Sequence, residues 1–365
     1  MKKKRILFIA SHRPGRAPGQ RFRFEQYFEF LEQNGFECEL SYIISEEDDK
    51  KLYRHGHYLE KFLIHRRAVS QRKKDVSRAD EFDIIFIFRE AIITGSIKYE
   101  KLFRKSKAKI VYDFDDAIWK LDVSDANRMF RFLKNPEKTS RIIKMSDLVF
   151  AGNNYLAKYA KTFNPDVVIV PTTIDTDEYL PVNHEKNKNK IIIGWSGSIT
   201  TIKHFELALP FLRILKEKYG DKLEIKVIGD ADYYNTELGI KGIGWKREDE
   251  IKELSTFDIG IMPLPDDEWA NGKCGLKGLQ YMALNIPTLM SPVGVNSEIV
   301  ENGVNGFLPA TTEEWVKYID LLIADSDLRI SIGNAARETV EKKYSVNHWK
   351  GKYLELLERL IKHTE

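Results

Sequence analysis

Twice along the chain, a series of short apolar, β-branched runs alternates with stretches of helical spacing. The first series is RILFIA (5–10), CELSYII (38–44), DIIFIF (83–88), KIVYDF (109–114), DLVFAG (147–152) and VVIVPT (167–172). The second is KIIIGWSGS (190–198), LEIKVIGD (223–230), GIKGIGW (239–245), DIGIMPL (258–264), IPTLMSP (286–292) and GFLP (306–309). Strands of a parallel sheet are covered on both faces by helices, so they read as near-continuous apolar runs of this kind. Helical spacing is clear in 23–34, where Phe24, Tyr27, Phe28 and Leu31 share a face and Gly35 supplies a stop. It recurs in 205–218, in 278–284 and in 349–362, the last with a stripe of Tyr353, Leu356, Leu357, Leu360 and Ile361. Between the two series, DTDEYLPVNHEKNKNK (175–190) is polar, carries Pro181 and reads as a hinge. The expected architecture is therefore α/β, with two doubly wound, Rossmann-like domains and a cleft between them. The boundaries fall at 1–172 and 173–345, and a final helix at 346–365 is expected to pack back on the first domain. Ligands of such sheets sit at the carboxyl ends of the strands, which makes the cleft the expected site.

A chain of 365 residues suits two domains of this size. Its two cysteines, Cys38 and Cys274, are far apart and show neither a CxxC nor a Cys/His spacing. A disulfide framework or zinc site is not indicated, and a reducing cytoplasmic setting is expected. The apolar run of the basic N-terminus, Ile6 to Ala10, is too short for a signal peptide. No apolar run approaches the ~20 residues that span a bilayer.

Charge is unevenly placed. Residues 1–172 hold 34 Lys+Arg against 24 Asp+Glu, a balance of +10, and the remainder holds 24 against 31, a balance of −7. The first half is therefore expected to meet something anionic. Its densest stretch, 50–78, has ten Lys/Arg interleaved with aromatic and aliphatic residues. It reads either as a solvated helical face or as a basic amphipathic surface resting on anionic lipid headgroups, in a peripheral location.

The loop after the first strand of the second half, GWSGSITTIK (194–203), has the makings of a diphosphate site. Gly197 lets the backbone approach a ligand, Ser198 follows, and Lys203 adds a cation, with backbone N–H groups expected to complete the cradle. The glycines Gly242 and Gly244 lack a third at position 247, so no nicotinamide fingerprint is present, nor is there a GxxxxGK[ST]. In 262–309, a strand ends in prolines, passes an acidic loop and enters a helix near Gly275. Lys273 and Lys277, four residues apart at that helix start, could clamp phosphate, with the Gln280 amide one turn further on for hydroxyls.

This segment resembles the donor-binding region of the family 4 retaining glycosyltransferases, whose helix reads Leu-Glu-Ala-Met-Ala-x-Gly-x-Pro-Val. Here it reads Leu279-Gln280-Tyr281-Met282-Ala283-Leu284-Asn285-Ile286-Pro287-Thr288. Ser291 to Gly294, Asn302-Gly303 with Gly306-Phe307, the hinge PTTIDTDEY (171–179) and the loop from Gly197 to Lys203 resemble that family too. The resemblance implies the GT-B fold and transfer of a sugar, with retention, from a nucleoside diphosphate sugar to an acceptor hydroxyl. It implies no side-chain nucleophile and no metal or other cofactor. Lys203, Lys273 and Lys277 would stabilise charge on the leaving diphosphate, and Gly229, Asp230, Gly244 and Trp245 would complete the donor site. The chain departs from the pattern at the family's Glu-x7-Glu pair, which falls at Gly272 and Gln280, and at the donor-loop arginine, which falls near Ser198.

In the first half, DFDDAIW (113–119) ends a strand. Its Asp-x-Asp could be a metal motif, but Asp115 and Asp116 are read as orienting sugar hydroxyls. Arg89 and Glu90 end the preceding strand, and Arg13, Arg21 and Arg23 lie in or just after the first loop, suited to an anionic saccharide or lipid-linked acceptor. The reading is an enzyme of cell-surface polysaccharide or glycolipid assembly, with no nucleic-acid partner. Its rivals are a sugar-nucleotide epimerase of the same fold and a catalytically silent sugar-nucleotide-binding subunit.

Overall fold

The computed structural model describes residues 3–54, 56–120, 135–182 and 190–362. The chain divides into two compact units, one of Met1–Thr172 with Lys350–Glu365 and one of Thr173–Trp349.

The first unit is built on a six-stranded parallel sheet. Its strands are β1 (Lys4–Ile9), β2 (Phe36–Ser41), β3 (Ile84–Phe88), β4 (Lys109–Phe114), β5 (Leu148–Ala151) and β6 (Val167–Ile169). Their order is β2-β1-β3-β4-β5-β6, with Ile6 opposite both Cys38 and Ile84. Every residue of β3 is buried, which is why it reads as an unbroken apolar run. Phe8 packs in a ring cluster with Phe24, Phe28 and Phe86. The helix Val346–Lys362 closes the unit: Tyr353 stacks on Tyr27 at 4.3 Å between centroids and meets Phe150 edge-on. The helix expected at 23–34 is broken. A short helix Pro18–Arg23 is separated from Phe28–Gln33 by a 3-10 turn, because the fully buried Phe24 takes an extended φ of −144°.

The second unit has a four-stranded parallel sheet and a small ribbon. The strands are β7 (Ile191–Ser196), β8 (Leu223–Ile228), β9 (Tyr234–Asn235), β10 (Ile240–Lys241), β11 (Ile259–Met262) and β12 (Thr288–Met290). The main order is β12-β11-β7-β8, and β9 and β10 pair antiparallel. The run 239–245 is thus mostly not a sheet strand, and 306–309 contributes two isolated bridges, Leu289 to Phe307 and Asn302 to Gly306. Trp195, Phe205, Phe211, Ile261 and Trp315 fill the core, with Phe211 stacked on Trp315 at 4.6 Å. Of the expected hinge, 183–189 lies outside the described residues.

Both parallel sheets reverse their winding between the sheet's first and third strands in chain order, β1 and β3 in one, β7 and β11 in the other. Loops leaving the carboxyl ends of those pairs diverge to opposite faces, and a crevice opens between them.

Candidate functional site

In the second unit, the β7/β11 crevice collects the lysines singled out in the sequence. β7 ends at Trp195 and Ser196. The Ser196 N–H donates to Tyr281 Oη at 2.7 Å, and their hydroxyls lie 2.9 Å apart. Tyr281 belongs to the helix Leu276–Ala283, so this contact ties the end of β7 to the helix that carries Lys277. Gly260 permits it, since a Cβ there would lie 2.5 Å from the Tyr281 ring. Lys277 Nζ sits 5.5 Å from the centroid of Trp195, and Lys273 Nζ sits 5.1 Å from that of Trp269. Both lysines are half-buried, while Lys203 is exposed.

His204 reports where these charges converge. It is 4% exposed and its Nδ1 has no hydrogen-bond partner. Burial, then the positive charges of Lys277, Lys273 and Lys203, push the imidazole down to about 4, with Asp267 opposing. The histidine is therefore neutral near pH 7 and lies within reach of three cations. Nothing in its spacing marked it beforehand except that it follows Lys203.

The expected backbone cradle is corrected by the structure. Gly197 N–H donates to Ile228 O (2.9 Å), Ser198 N–H to Thr201 Oγ1 (2.9 Å) and Thr201 N–H to Ser198 O (2.8 Å). The amides of Ser198 and Thr201 are thus spent inside the turn and that of Gly197 on the end of β8. Gly197 is needed for packing: a Cβ would lie 2.2 Å from the Trp195 ring, and at Gly229, φ +128°, 2.2 Å from Gly197 O. The exposed Ser198 shares its hydroxyl with Thr200 at 3.1 Å.

The donor contacts expected of Gln280 and Trp245 change as well. Gln280 is buried, and its amide nitrogen donates to Tyr179 Oη at 3.0 Å. Tyr179 donates in turn to Glu250 Oε2 at 2.6 Å, and the Trp245 indole donates to Glu250 Oε1 at 2.8 Å. The donors of both residues are thus committed to a network centred on Glu250, because a buried carboxylate must be satisfied. Asp230 accepts from the Asp232 N–H, and Gly244 is exposed on the loop before Trp245.

In the first unit, the β1/β3 crevice carries a second cluster. Arg89, at the end of β3, has φ +60°, a costly conformation for a non-glycine residue. Its guanidinium is forked between two carboxylates, Nε to Asp115 at 2.7 Å and Nη2 to Asp116 at 2.6 Å. Glu90 accepts from Lys138 at 2.9 Å. Arg13 donates to Asp49 at 3.1 Å, and Arg16 pairs with the same carboxylate. His12, beside them, is held down to about 4 by burial and then by Arg16, Arg89 and Arg13, against Asp49, and its Nε2 lies 3.1 Å from Tyr53 Oη. His12, Asp49 and Tyr53 were not foreseen.

Two of the expected acceptor-side arginines are not on the surface. Arg21 is 6% exposed, lying against the Phe22 ring, and Arg23 is 1% exposed. Arg23 forks onto Asp113 and also donates to Val170 O. They face inward because the helix Pro18–Arg23 buries its last four residues. Burial pushes the Asp113 carboxyl up to about 6 against the pull of Arg23. Arg72 is likewise no part of the basic surface at 50–78: it is fully buried on Asp75, Ser41 and two backbone carbonyls.

Two parallel-sheet Rossmann-like units define a GT-B protein, and solved structures agree on that fold. A glycosyltransferase from Rickettsia africae superposes with a TM-score of 0.69 at 18% identity, covering 99% of this chain and 100% of that one. HepE of Anabaena in complex with UDP-glucose superposes with a TM-score of 0.66 at 15% identity, covering 97% and 99%. Residues 177–339 match the family of glycosyl transferases group 1. A glycosyltransferase of Methanocaldococcus jannaschii is 28% identical over 165 residues, 42% of this chain and 41% of that protein. The chain thus spans well under two thirds of the length of the curated relatives it matches, 41% and 58% of the first two.

Proposed function

We propose that the protein transfers a sugar, with retention, from a nucleoside diphosphate sugar to an acceptor hydroxyl. The observation that carries this reading is the convergence of Lys203, Lys273 and Lys277 about His204 at the β7/β11 crevice. Three cations at a switch point suit a diphosphate leaving group, whose charge grows as the glycosidic bond breaks. The family of the domain and the UDP-glucose held by HepE favour a UDP-sugar donor. The leaving phosphate would accept the acceptor proton on the same face, so no side-chain nucleophile is required. Lysine charge takes the place of a divalent ion. The carboxylates of the Asp-x-Asp motif support that reading, since Asp113 is paired with Arg23 and Asp115 with Arg89.

Glu90, Arg89, Asp115 and Asp116 form the acceptor side, for a saccharide or lipid-linked hydroxyl of polysaccharide or glycolipid assembly. Peripheral attachment to an anionic membrane fits the helix Tyr58–Ser77. Among the described residues, no helix is long and apolar enough to cross a membrane. On this helix, however, Leu59 is 69% and Phe62 57% exposed, with Tyr58 and Leu63 beside them and exposed Arg66 and Arg67 following. Apolar anchors next to cations suit an interfacial helix.

The rival reading is a silent donor-binding subunit, favoured by Gly272 and Gln280 standing where the resembled family has carboxylates. A thermal-shift screen of nucleotides followed by donor hydrolysis tests both. Stabilisation by UDP with release of sugar supports the transferase. Stabilisation without any turnover supports the subunit, and no stabilisation by any nucleotide overturns the donor site.

A further inference from the structure

The loop that follows β1 is fastened along its length. The buried Gln20 grips the backbone of His12, accepting from its N–H at 2.9 Å and donating to its carbonyl at 2.8 Å. The Ile44 N–H donates to Ser11 O at 2.9 Å, and the Gly15 N–H to Glu25 at 2.7 Å. The loop leaves the sheet beside Arg89, since Ile9 at the end of β1 lies opposite Ile87 of β3. The short helix Glu46–Leu52 and its C-cap set Asp49 and Tyr53 against this loop, four positions apart and so on one face. Tyr53 Oη lies 3.1 Å from His12 Nε2, and Asp49 Oδ2 accepts from Arg13 Nη1, at 3.1 Å, and from Arg16 Nε. Two guanidiniums thus meet at a single carboxylate oxygen. Among the described residues, Arg13 gives one N–H to this carboxylate and Arg16 two, so each keeps further donors, and both side chains and Tyr53 reach solvent.

An apolar ridge continues from these residues. The helix Glu46–Leu52 is tied to the helix Tyr58–Ser77: Asp48 accepts from Arg67, and Lys61 Nζ donates to Arg54 O at 2.8 Å. The exposed Tyr58, Leu59, Phe62 and Leu63 follow Tyr53 closely in the chain and repeat at the spacing of one helix face. We propose that Arg13, Arg16 and Tyr53 bind the phosphate of a lipid-linked acceptor, whose hydrocarbon chain lies along this ridge. The inference rests on the acceptor-side reading above and makes that acceptor a phosphate-bearing lipid. A phosphate has oxygens enough to receive N–H groups from two guanidiniums at once, and the planar fork of arginine fits it. Asp49 sets both side chains in place beforehand, so little of their freedom is lost on binding. The arginines account for a phosphate, and the ridge beside them for the chain attached to it.

The test is flotation of the full chain with phosphatidylcholine vesicles containing either phosphatidic acid or cholesteryl hemisuccinate, a carboxylate, at matched zeta potential. A merely basic surface binds both alike. The expected result is tighter binding to phosphatidic acid by roughly tenfold or more, the worth of one hydrogen bond to a charged group. The preference should vanish in Arg13→Gln with Arg16→Gln and shrink in Tyr53→Phe, which removes only a hydroxyl. Leu59→Ser with Phe62→Ser should weaken vesicle binding while leaving unchanged the binding of soluble glycerol 3-phosphate, read by calorimetry. Equal affinity of the wild type for the two kinds of vesicle overturns the proposal, and that comparison requires no variant to fold. Glycerol 3-phosphate bound as tightly as the phosphatidic acid vesicles would make the acceptor a soluble phosphate and overturn the lipid assignment. None of these measurements uses a nucleotide, so they fail separately from the donor site. Preference for phosphatidic acid in a protein that no nucleotide stabilises would leave the lipid-phosphate site standing and remove the transferase reading.

Discussion

Lys277 holds its ammonium over the face of Trp195, 5.5 Å from the ring centroid. A cation placed on an aromatic face is held in one orientation, here at the end of β7. Lys277→Ala should lower transfer by ~10²-fold, the loss typical of one preorganised donor in an oxyanion site. Lys203→Ala and Lys273→Ala should follow. Circular dichroism and the melting temperature would establish that the fold survives. Near-normal turnover in both Lys273→Ala and Lys277→Ala would remove the phosphate clamp from consideration.

Activity is expected to persist in EDTA. On the proposed reading lysines supply the charge that a divalent ion would bring, and the Asp-x-Asp carboxylates are paired with Arg23 and Arg89. Loss of turnover on chelation, restored by Mn²⁺ or Mg²⁺, would make Asp113 and Asp115 metal ligands instead.

Arg23 and Arg13 should separate cleanly. Arg23→Ala strips the partner from a fully buried Asp113 and should cost about 3–5 kcal/mol, read from denaturant unfolding. Arg13 is half-buried at the crevice and shares Asp49 with Arg16, so Arg13→Ala should cost no more than ~1 kcal/mol. Its effect should appear in the acceptor KM. Equal stability losses from the two changes would contradict this assignment of roles.

Stability should fall on the acid side partly because of histidine. The His12 and His204 rings are held at about 4, below the ordinary 6.5. Between those values the unfolded chain binds protons that the native state refuses, so these two residues subtract stability as the pH drops from about 6.5 to about 4. Asp113, held up at about 6 against an ordinary 3.8, acts in the opposite sense from about 6 downward. Comparison with a variant isolates the histidine contribution. The His204→Gln melting temperature should lose less between pH 7 and pH 4.5 than that of the wild type, by roughly 2–4 °C for each kcal/mol removed. Parallel curves would show that the ring titrates normally.

Membrane attachment is tested by flotation with liposomes with and without phosphatidylglycerol. The variant is Leu59→Ser, Phe62→Ser, Arg66→Gln and Arg67→Gln, all exposed positions, and it spares the buried Arg72. The wild type should float with anionic vesicles and release as salt rises, since screening shortens to roughly 3 Å at 1 M. The variant should not float. Equal, weak flotation of both would make this face a solvated surface and favour a soluble acceptor.

The sequence by itself determined the two wound sheets. Buried parallel strands leave a strong local record, and the runs Ile84–Phe88 and Ile259–Met262 carry it in every residue. It also determined which lysines to watch, because their spacing about Gly275 and the likeness of the following helix are local features. What the sequence could not determine is where a polar side chain's hydrogen bonds go. Arg21, Arg23 and Arg72 looked like surface cations and are buried, two of them on carboxylates that lie 90 and three positions away. The Gln280 amide and the Trp245 indole looked available and are committed to Tyr179 and Glu250. The amides of Gly197, Ser198 and Thr201 looked open, and they are bonded to Ile228 O, Thr201 Oγ1 and Ser198 O. His204 showed no pattern at all, since its character comes from burial and then from Lys277 and Lys273, some seventy residues further along the chain. Apolar burial is recorded by the periodicity of neighbours in the chain. A buried charge is decided by partners that the fold brings from far away, and only the tertiary structure names them.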